Sequence, residues 1–310
     1  MVKFSHKPVL VKEVLEALQV KTSGVYVDGT VGEGGHSYEI LSSTVPSPRM
    51  LCLDLDEESL DVAKVRLRSM EDKVIIMKAN YSDMGTISKS VGFMVVNGIL
   101  LDLGLSSRQI ENRRRGFSFM LEGALDMRFD KTDETLTARD VVNEYPEEAL
   151  ADVIRKYGEE RKARRIAKAI RGNRPLNTTI ELANVVARAA GGRNTGAKVH
   201  PATRTFQAIR IEVNDELQNV SKGIDEAVNI ATSGGRIAII SYHSIEDRIV
   251  KNAFRQRSAD CICDPHAPVC VCNHAKDVKL VNRKVIKPSY LEIRNNHRSR
   301  SAKLRIAEKL

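Results

Sequence analysis

Four glycines stand within seven residues in Asp28-Gly29-Thr30-Val31-Gly32-Glu33-Gly34-Gly35-His36-Ser37. They follow the apolar run Val25-Tyr26-Val27 and precede a helical pattern. Glycines in that position permit a tight turn and close approach of a ligand to the backbone, with a helix N-terminus behind them. A plain strand-to-helix turn uses the same residues, so the turn alone decides nothing. Its spacing departs from the G-x-G-x-x-G dinucleotide turn: Gly29 and Gly32 are three apart, and Gly34-Gly35 follow. Asp54 ends the next apolar run, 26 residues after Asp28, where a carboxylate accepts both hydroxyls of a ribose. Asp56 is an alternative, and either also suits the N-cap of a helix beginning at Glu57 or Glu58. Tyr81, after a third run, offers a ring to a purine or simply packs. Asp102, after a fourth, sets a carboxylate where a substrate would meet a cofactor. Glycine turn, acidic second strand, aromatic or polar third and carboxylate fourth together make the layout of an S-adenosylmethionine (SAM) pocket.

Two further groups carry chemistry. Ser241-Tyr242-His243-Ser244 ends a late apolar run and could hold a base. His243 there suits a general base at neutral pH or a structural histidine bonded to backbone. Cys261, Cys263, Cys270 and Cys272 form two C-x-C pairs, with His274 just after. Four thiolates suit tetrahedral zinc, although the spacing is not C-x₂₋₄-C; free thiols in a loop are the other reading. Cys52, inside an apolar run, reads as core filling.

Charge is distributed unevenly. The 310 residues carry a net +9. Residues 155–174 hold nine basic and two acidic side chains, and residues 276–305 hold ten and two. Segregated positive charge of this size fits a polyanion, nucleic acid first. Arg161, Arg164, Arg165 and Lys168 read as a helical basic face for RNA phosphates, against ion pairing with Glu159, Glu160 or Asp152. Arg128 either meets RNA phosphate or pairs with Asp126 or Asp130. No apolar stretch is long enough for a membrane span, and the first residues do not form a signal peptide, so a cytoplasmic protein is expected.

These residues need a scaffold. Short apolar runs at 25–27, 50–53, 74–77 and 99–103 alternate with helical patterns, which predicts a parallel, doubly wound α/β sheet. Further strands are expected at 236–241 and 303–307. Between about 112 and 198 the chain reads as helices separated by breakers, including the capping-box form Thr178-x-x-Glu181. The expected organisation is therefore residues 1–111 and 199–310 in one sheet domain, interrupted by a helical insert over 112–198.

The strings HKPVLVKEVLEAL, DGTVGEGGHS, ILLDLGLSS, RGFSF, LDMRFD, YGEER, HPATRTFQAIRIEVNDEL, IISYHSIEDRIVK and RSRSAKLRIAEK, in that order, resemble the bacterial RsmH (MraW) family nearly end to end. The resemblance implies a class I SAM-dependent methyltransferase with an inserted substrate-recognition domain. It implies methylation of N4 of a cytosine in the decoding region of 16S ribosomal RNA, within a small-subunit particle as the expected partner. It also implies SAM contacts at Gly34, Gly35, His36, Asp54, Tyr81, Asp102 and Gln109. Asp102 is then the first candidate to orient the amine or hold the SAM ammonium, with His243 the second catalytic candidate. A DNA amino-methyltransferase fits the pocket, but its Pro-Pro-aromatic motif is replaced by Asp102-Leu103-Gly104-Leu105. A non-catalytic RNA-binding ribosome-assembly factor with a SAM pocket is the alternative from outside the enzymes. Free RNA against assembled subunit as substrate, and a homodimer against a monomer, stay open at this level.

Overall fold

A computed structural model describes residues 8–132, 135–191, 200–264 and 269–310. The chain divides into two compact units, Met1–Gly104 with Leu217–Leu310, and Leu105–Glu216.

The first unit is built on a seven-stranded sheet. Its strands are β1 (Val25–Asp28), β2 (Arg49–Asp54), β3 (Val74–Lys78), β4 (Val96–Asp102), β5 (Ala231–Ser241), β6 (Val278–Leu280) and β7 (Lys303–Lys309). In chain order the helices of the protein are α1 (Val11–Leu18), α2 (Gly35–Ser42), α3 (Glu57–Arg66), α4 (Met84–Ser90), α5 (Ser107–Glu111), α6 (Ala138–Glu144), α7 (Glu147–Gly158), α8 (Ala163–Arg171), α9 (Thr179–Ala189), α10 (Ala202–Asn214), α11 (Glu216–Ile230), α12 (Ser244–Arg257) and α13 (Tyr290–Asn295). The strand order is β3-β2-β1-β4-β5-β7-β6. Strands β1 to β5 are parallel, and β7 runs antiparallel between β5 and β6. This is the Rossmann-like arrangement that the alternating runs predict. The central strands are apolar because both sheet faces are covered. On one face Tyr26, Met50, Cys52 and Leu100 pack with Val14, Leu18 and Leu41; on the other, Val27, Leu51, Ile99 and Leu101 pack with Ile224, Val228 and Phe254. Cys52 is fully buried, as expected of core filling.

Strand order reverses between β1 and β4: β2 and β3 lie to one side, β5 to the other. A crevice opens at the carboxyl ends of strands at such a switch point. Asp28, Asp54 and Asp102 are the last residues of β1, β2 and β4.

The helical unit is wider than the 112–198 read from breakers. Residues 192–199, at the expected end of the insert, lie outside the described residues. Helix α10, expected to belong to the sheet domain as part of the crossover, instead buries Ala202, Phe206, Ile209 and Val213 in the core of the helical unit, with Val141, Leu150, Ile166 and Val186. Packing, not sequence order, assigned that helix. The capping box at α9 forms as its spacing predicts: Glu181 N–H donates to Thr178 Oγ1 at 3.2 Å, and Thr178 N–H donates to Glu181 Oε2 at 3.1 Å. Helix α8 starts at Ala163, leaving Arg161 before it rather than on its basic face, because Glu159 takes a left-handed φ of 49° at the end of α7. Among the described residues no helix is long and apolar enough to cross a membrane.

Candidate active site

The glycine turn after β1 is stitched to its neighbours by side chains. Asp28 is buried; its Oδ1 accepts from Thr30 N–H at 3.1 Å and its Oδ2 from the Ser37 hydroxyl at 2.6 Å. Burial raises the Asp28 pKa, with the Ser37 hydrogen bond opposing. Thr30 then accepts, through Oγ1, from Asp102 N–H at 2.6 Å, tying the ends of β1 and β4 together. A side chain at Gly29 would lie 2.5 Å from Leu101 Cδ2, so the turn closes onto the sheet only without one. Gly34 caps α2 with φ 75°, a conformation costly for any other residue. Gly35 opens α2, where a Cβ would crowd Arg66 and Pro8.

Asp54 is occupied on both oxygens. Gly32 N–H donates to Oδ2 at 2.8 Å and Asp56 N–H to Oδ1 at 2.9 Å. Each oxygen keeps a second lone pair for a further donor. Burial pushes its pKa up to about 6, against those two hydrogen bonds. Asp56, the alternative, is the N-cap residue of α3, and its Oδ2 accepts from the Ser59 hydroxyl at 2.8 Å. Tyr81 opens a short 3₁₀ turn after β3. Its ring is so close to Gly223 of α11 that a Cβ there would meet Cδ2 at 2.5 Å.

Asp102 and His36 meet over the switch point. His36 Nε2 lies 3.6 Å from Asp102 Oδ2, beyond a hydrogen bond. Both side chains are mostly buried, and among the described residues neither His36 Nε2 nor Asp102 Oδ1 has a hydrogen-bond partner. Buried polar atoms left open in this way call for a partner such as water, an ion or a ligand. Tyr242, named in the sequence only within the group that could hold a base, also reaches this carboxylate. Its ring lies on Gly104, where a Cβ would be 2.6 Å from Cε2. Burial first, and then the Asp102 carboxylate, hold the Tyr242 phenol well above its ordinary pKa, so it stays protonated. His243, by contrast, is engaged at the N-cap of α12: Glu246 N–H donates to its Nδ1 at 3.3 Å. Its Nε2 sits 2.9 Å from Glu246 Oε1, outside hydrogen-bonding geometry.

The remaining candidates belong to the helical unit. Gln109 is buried in α5 and forms a capping box, its Oε1 accepting from Ser106 N–H at 3.0 Å. Of the two roles open to Arg128, the pairing is present: Nη2 and Nε reach Asp126 Oδ2 and Oδ1 at 2.8 and 3.0 Å. Burial works against ionisation of Asp126, but the Arg128 hydrogen bonds and charge hold its pKa below the usual range. The loop they share is pinned by Asn214, which donates to Met127 O at 2.7 Å, and by buried Arg115, which donates to Phe129 O at 2.9 Å. Neither anchor was legible in sequence; both lie far along the chain from what they hold or among a run of like arginines.

On α8, Ala163, Ile166, Ala167 and Ile170 face inward, leaving Arg164, Arg165 and Lys168 exposed. Arg161 is exposed in the turn before the helix. Of the proposed internal partners, Asp152 pairs with Arg155 and Glu160 with Arg204. Among the described residues no ion pair reaches Arg161, Arg164, Arg165 or Lys168. Back in the sheet unit, the four clustered cysteines are brought together, every sulfur within 4.8 Å of the others.

The model of the MraW methylase family matches residues 3–310. A curated relative from Dehalococcoides mccartyi, "Ribosomal RNA small subunit methyltransferase H", is 46% identical over 310 residues, covering 100% of this chain and 88% of its own. Relatives of the same name from Carboxydothermus hydrogenoformans and Clostridioides difficile are 47% and 46% identical, each over 99% of this chain and 98% and 99% of their own. With a match over almost every residue, and identity well above that needed to share a fold, this chain belongs to the MraW methylase family.

Proposed function

We propose that the protein transfers a methyl group from SAM to N4 of a cytosine in the decoding region of small-subunit ribosomal RNA. The observation that carries this reading is the pair of open polar atoms at the switch point, Asp102 Oδ1 and His36 Nε2. They fit the donor and the acceptor amine together. Asp102 Oδ2 and the facing imidazole suit the ammonium of the SAM amino-acid end, the glycine turn and Gly34-Gly35 its backbone approach, and the spare lone pairs of Asp54 the ribose hydroxyls. SAM supplies a methyl already activated on a sulfonium, so the protein's task is alignment.

Cytosine N4 is a weak nucleophile because its lone pair is delocalised into the ring. Asp102 Oδ1 accepts a hydrogen bond from an N4–H, returning electron density to nitrogen as the new C–N bond forms. One N4 proton leaves as that bond is completed, and Asp102 receives it in this reading. Tyr242, kept protonated, steadies the carboxylate. His243 holds the chain between β5 and α12 through its cap and takes no proton in this scheme. Gln109 and Tyr81 join the donor's contacts on the strength of the family resemblance. Arg161, Arg164, Arg165 and Lys168 supply phosphate contacts that orient RNA without reading sequence. An assembled small-subunit particle is the proposed substrate.

A tritiated-methyl assay on small-subunit particles and on naked RNA, with the modified nucleoside identified by mass, tests the reading. N4-methylcytidine on particles is expected. SAM binding without transfer to either substrate would favour a non-catalytic assembly factor, and transfer to DNA a different amino-methyltransferase.

A further inference from the structure

Between the end of α12 at Arg257 and the start of β6 at Val278, twenty residues leave the sheet and return. Their ends are fastened: Asp277 N–H donates to Arg257 O at 3.0 Å, and the Arg257 guanidinium pairs with the Asp277 carboxylate. Among the described residues between these ends, none forms a core of its own. Residues 258–264 and 269–277 contain no helix or strand, and Ile262, Val269 and Val271 are exposed. Yet this segment gathers four cysteines at its surface. Sγ of Cys261 lies 3.5 Å from that of Cys270 and 3.7 Å from that of Cys272, and Cys270 and Cys272 are 3.6 Å apart. Apolar burial cannot account for the gathering, because Cys261 and Cys270 are exposed and Cys263 and Cys272 only partly covered.

We infer that Cys261, Cys263, Cys270 and Cys272 bind one structural zinc ion that clips this segment closed. A tetrahedron of sulfurs at about 2.3 Å from zinc has edges of about 3.8 Å, close to the spacings seen and far from the roughly 2.0 Å of a disulfide. A set of four thiolates with no fifth ligand is the composition of a closed structural site, and sulfur donors select zinc over hard cations. The surroundings suit sulfur that carries charge. Cys263 N–H points at Cys261 Sγ and Val271 N–H at Cys263 Sγ, each at 3.4 Å, the backbone amide donors that tetrathiolate sites use. His274 is engaged outside the set, its Nε2 3.0 Å from Gln256 O. Binding is not a redox event: four thiols give up four protons, the zinc stays divalent, and the site carries two negative charges. The metal replaces a missing core, joining the outgoing pair 261/263 to the returning pair 270/272.

The test is elemental analysis of full-length protein purified without chelator. About one zinc per chain is expected, with the four thiols unreactive toward a disulfide reagent until chelator is added. Cys261→Ser with Cys270→Ser should lose the metal while SAM affinity stays unchanged. Should that variant fail to fold, wild-type protein stripped of metal and titrated with cobalt(II) decides instead, by the intense red absorption of a tetrahedral tetrathiolate at one equivalent. Four freely reactive thiols and no cobalt spectrum would overturn the proposal. So would a mass deficit showing disulfides, or iron in place of zinc.

Discussion

The two units place charge in opposite ways. In the sheet unit, ionisable side chains stand at strand ends, inside the fold, and are held by backbone N–H groups: Asp28 by Thr30, Asp54 by Gly32 and Asp56. Burial raises the pKa of both, and two polar atoms beside them stay open. In the helical unit the core is apolar, α8 turns Ile166 and Ile170 inward, and its arginines and lysine stand in solvent. Electrostatic effects are large where water is excluded and small where it is not. The sheet unit is thus built to act on a reacting group at short range. The helical unit is built to attract a polyanion at long range, with strength that salt controls.

Five expected outcomes would break or sharpen that contrast. The largest belongs to Asp102. Asp102→Asn should cut methyl transfer by about 10²–10⁴-fold while the melting temperature holds, because the carboxylate acts on the reacting amine. A single-turnover assay at saturating SAM measures it, and near-normal turnover would remove Asp102 from the chemistry. Next is Asp54, whose replacement by Ala should weaken SAM binding by about 1–3 kcal/mol in calorimetry. Unchanged affinity would move the ribose contact to Asp56 or discard the pocket.

Asp54 also has a pH signature. Its pKa is raised by burial to about 6, so the folded state favours the protonated form. That contribution to stability is fully present below the unfolded value of about 3.9 and is lost as pH rises through about 6. The melting temperature of wild-type protein should therefore fall relative to that of Asp54→Asn between about pH 4 and about pH 7. A constant difference across that range would mean Asp54 titrates normally.

The surface predictions are smaller and opposite in kind. Replacing Arg161, Arg164 and Lys168 with Ala should leave SAM binding and melting temperature intact, weaken RNA binding at low salt, and flatten the log–log salt slope by about 2–3. Normal RNA binding would return these side chains to a solvated face, and unfolding would make them internal supports. Tyr242→Phe should lower methyl transfer by about tenfold or less, the scale of one neutral hydrogen-bonding group. If the loss matched that of Asp102→Asn, Tyr242 would itself touch the reacting atoms.

Much of this protein is legible in its sequence. Apolar runs of strand length alternating with helical periods specify a doubly wound sheet, since a run apolar on both faces must be covered on both. Placing ligands at the carboxyl ends of strands then points to the glycine turn, Asp54 and Asp102, and Thr178-x-x-Glu181 specifies its own cap. These are local facts, carried by neighbours a few residues apart. What only the tertiary structure decided depends on residues distant in sequence. Thr30 holds the backbone of Asp102 across 72 positions. Gly104 is glycine because the Tyr242 ring lies on it. Helix α10 joins the helical unit because its apolar face finds that core, and Arg161 stands outside α8 because Glu159 turns left-handed. The three-residue strand β6 is too short to show a period, and it exists only as a partner for β7. The cysteine pairs announce sulfur chemistry, but their nine-residue separation leaves the meeting of four sulfurs to the path of the loop. Periodicity determines which elements form; which side chains meet is settled by packing, where each contact depends on every other.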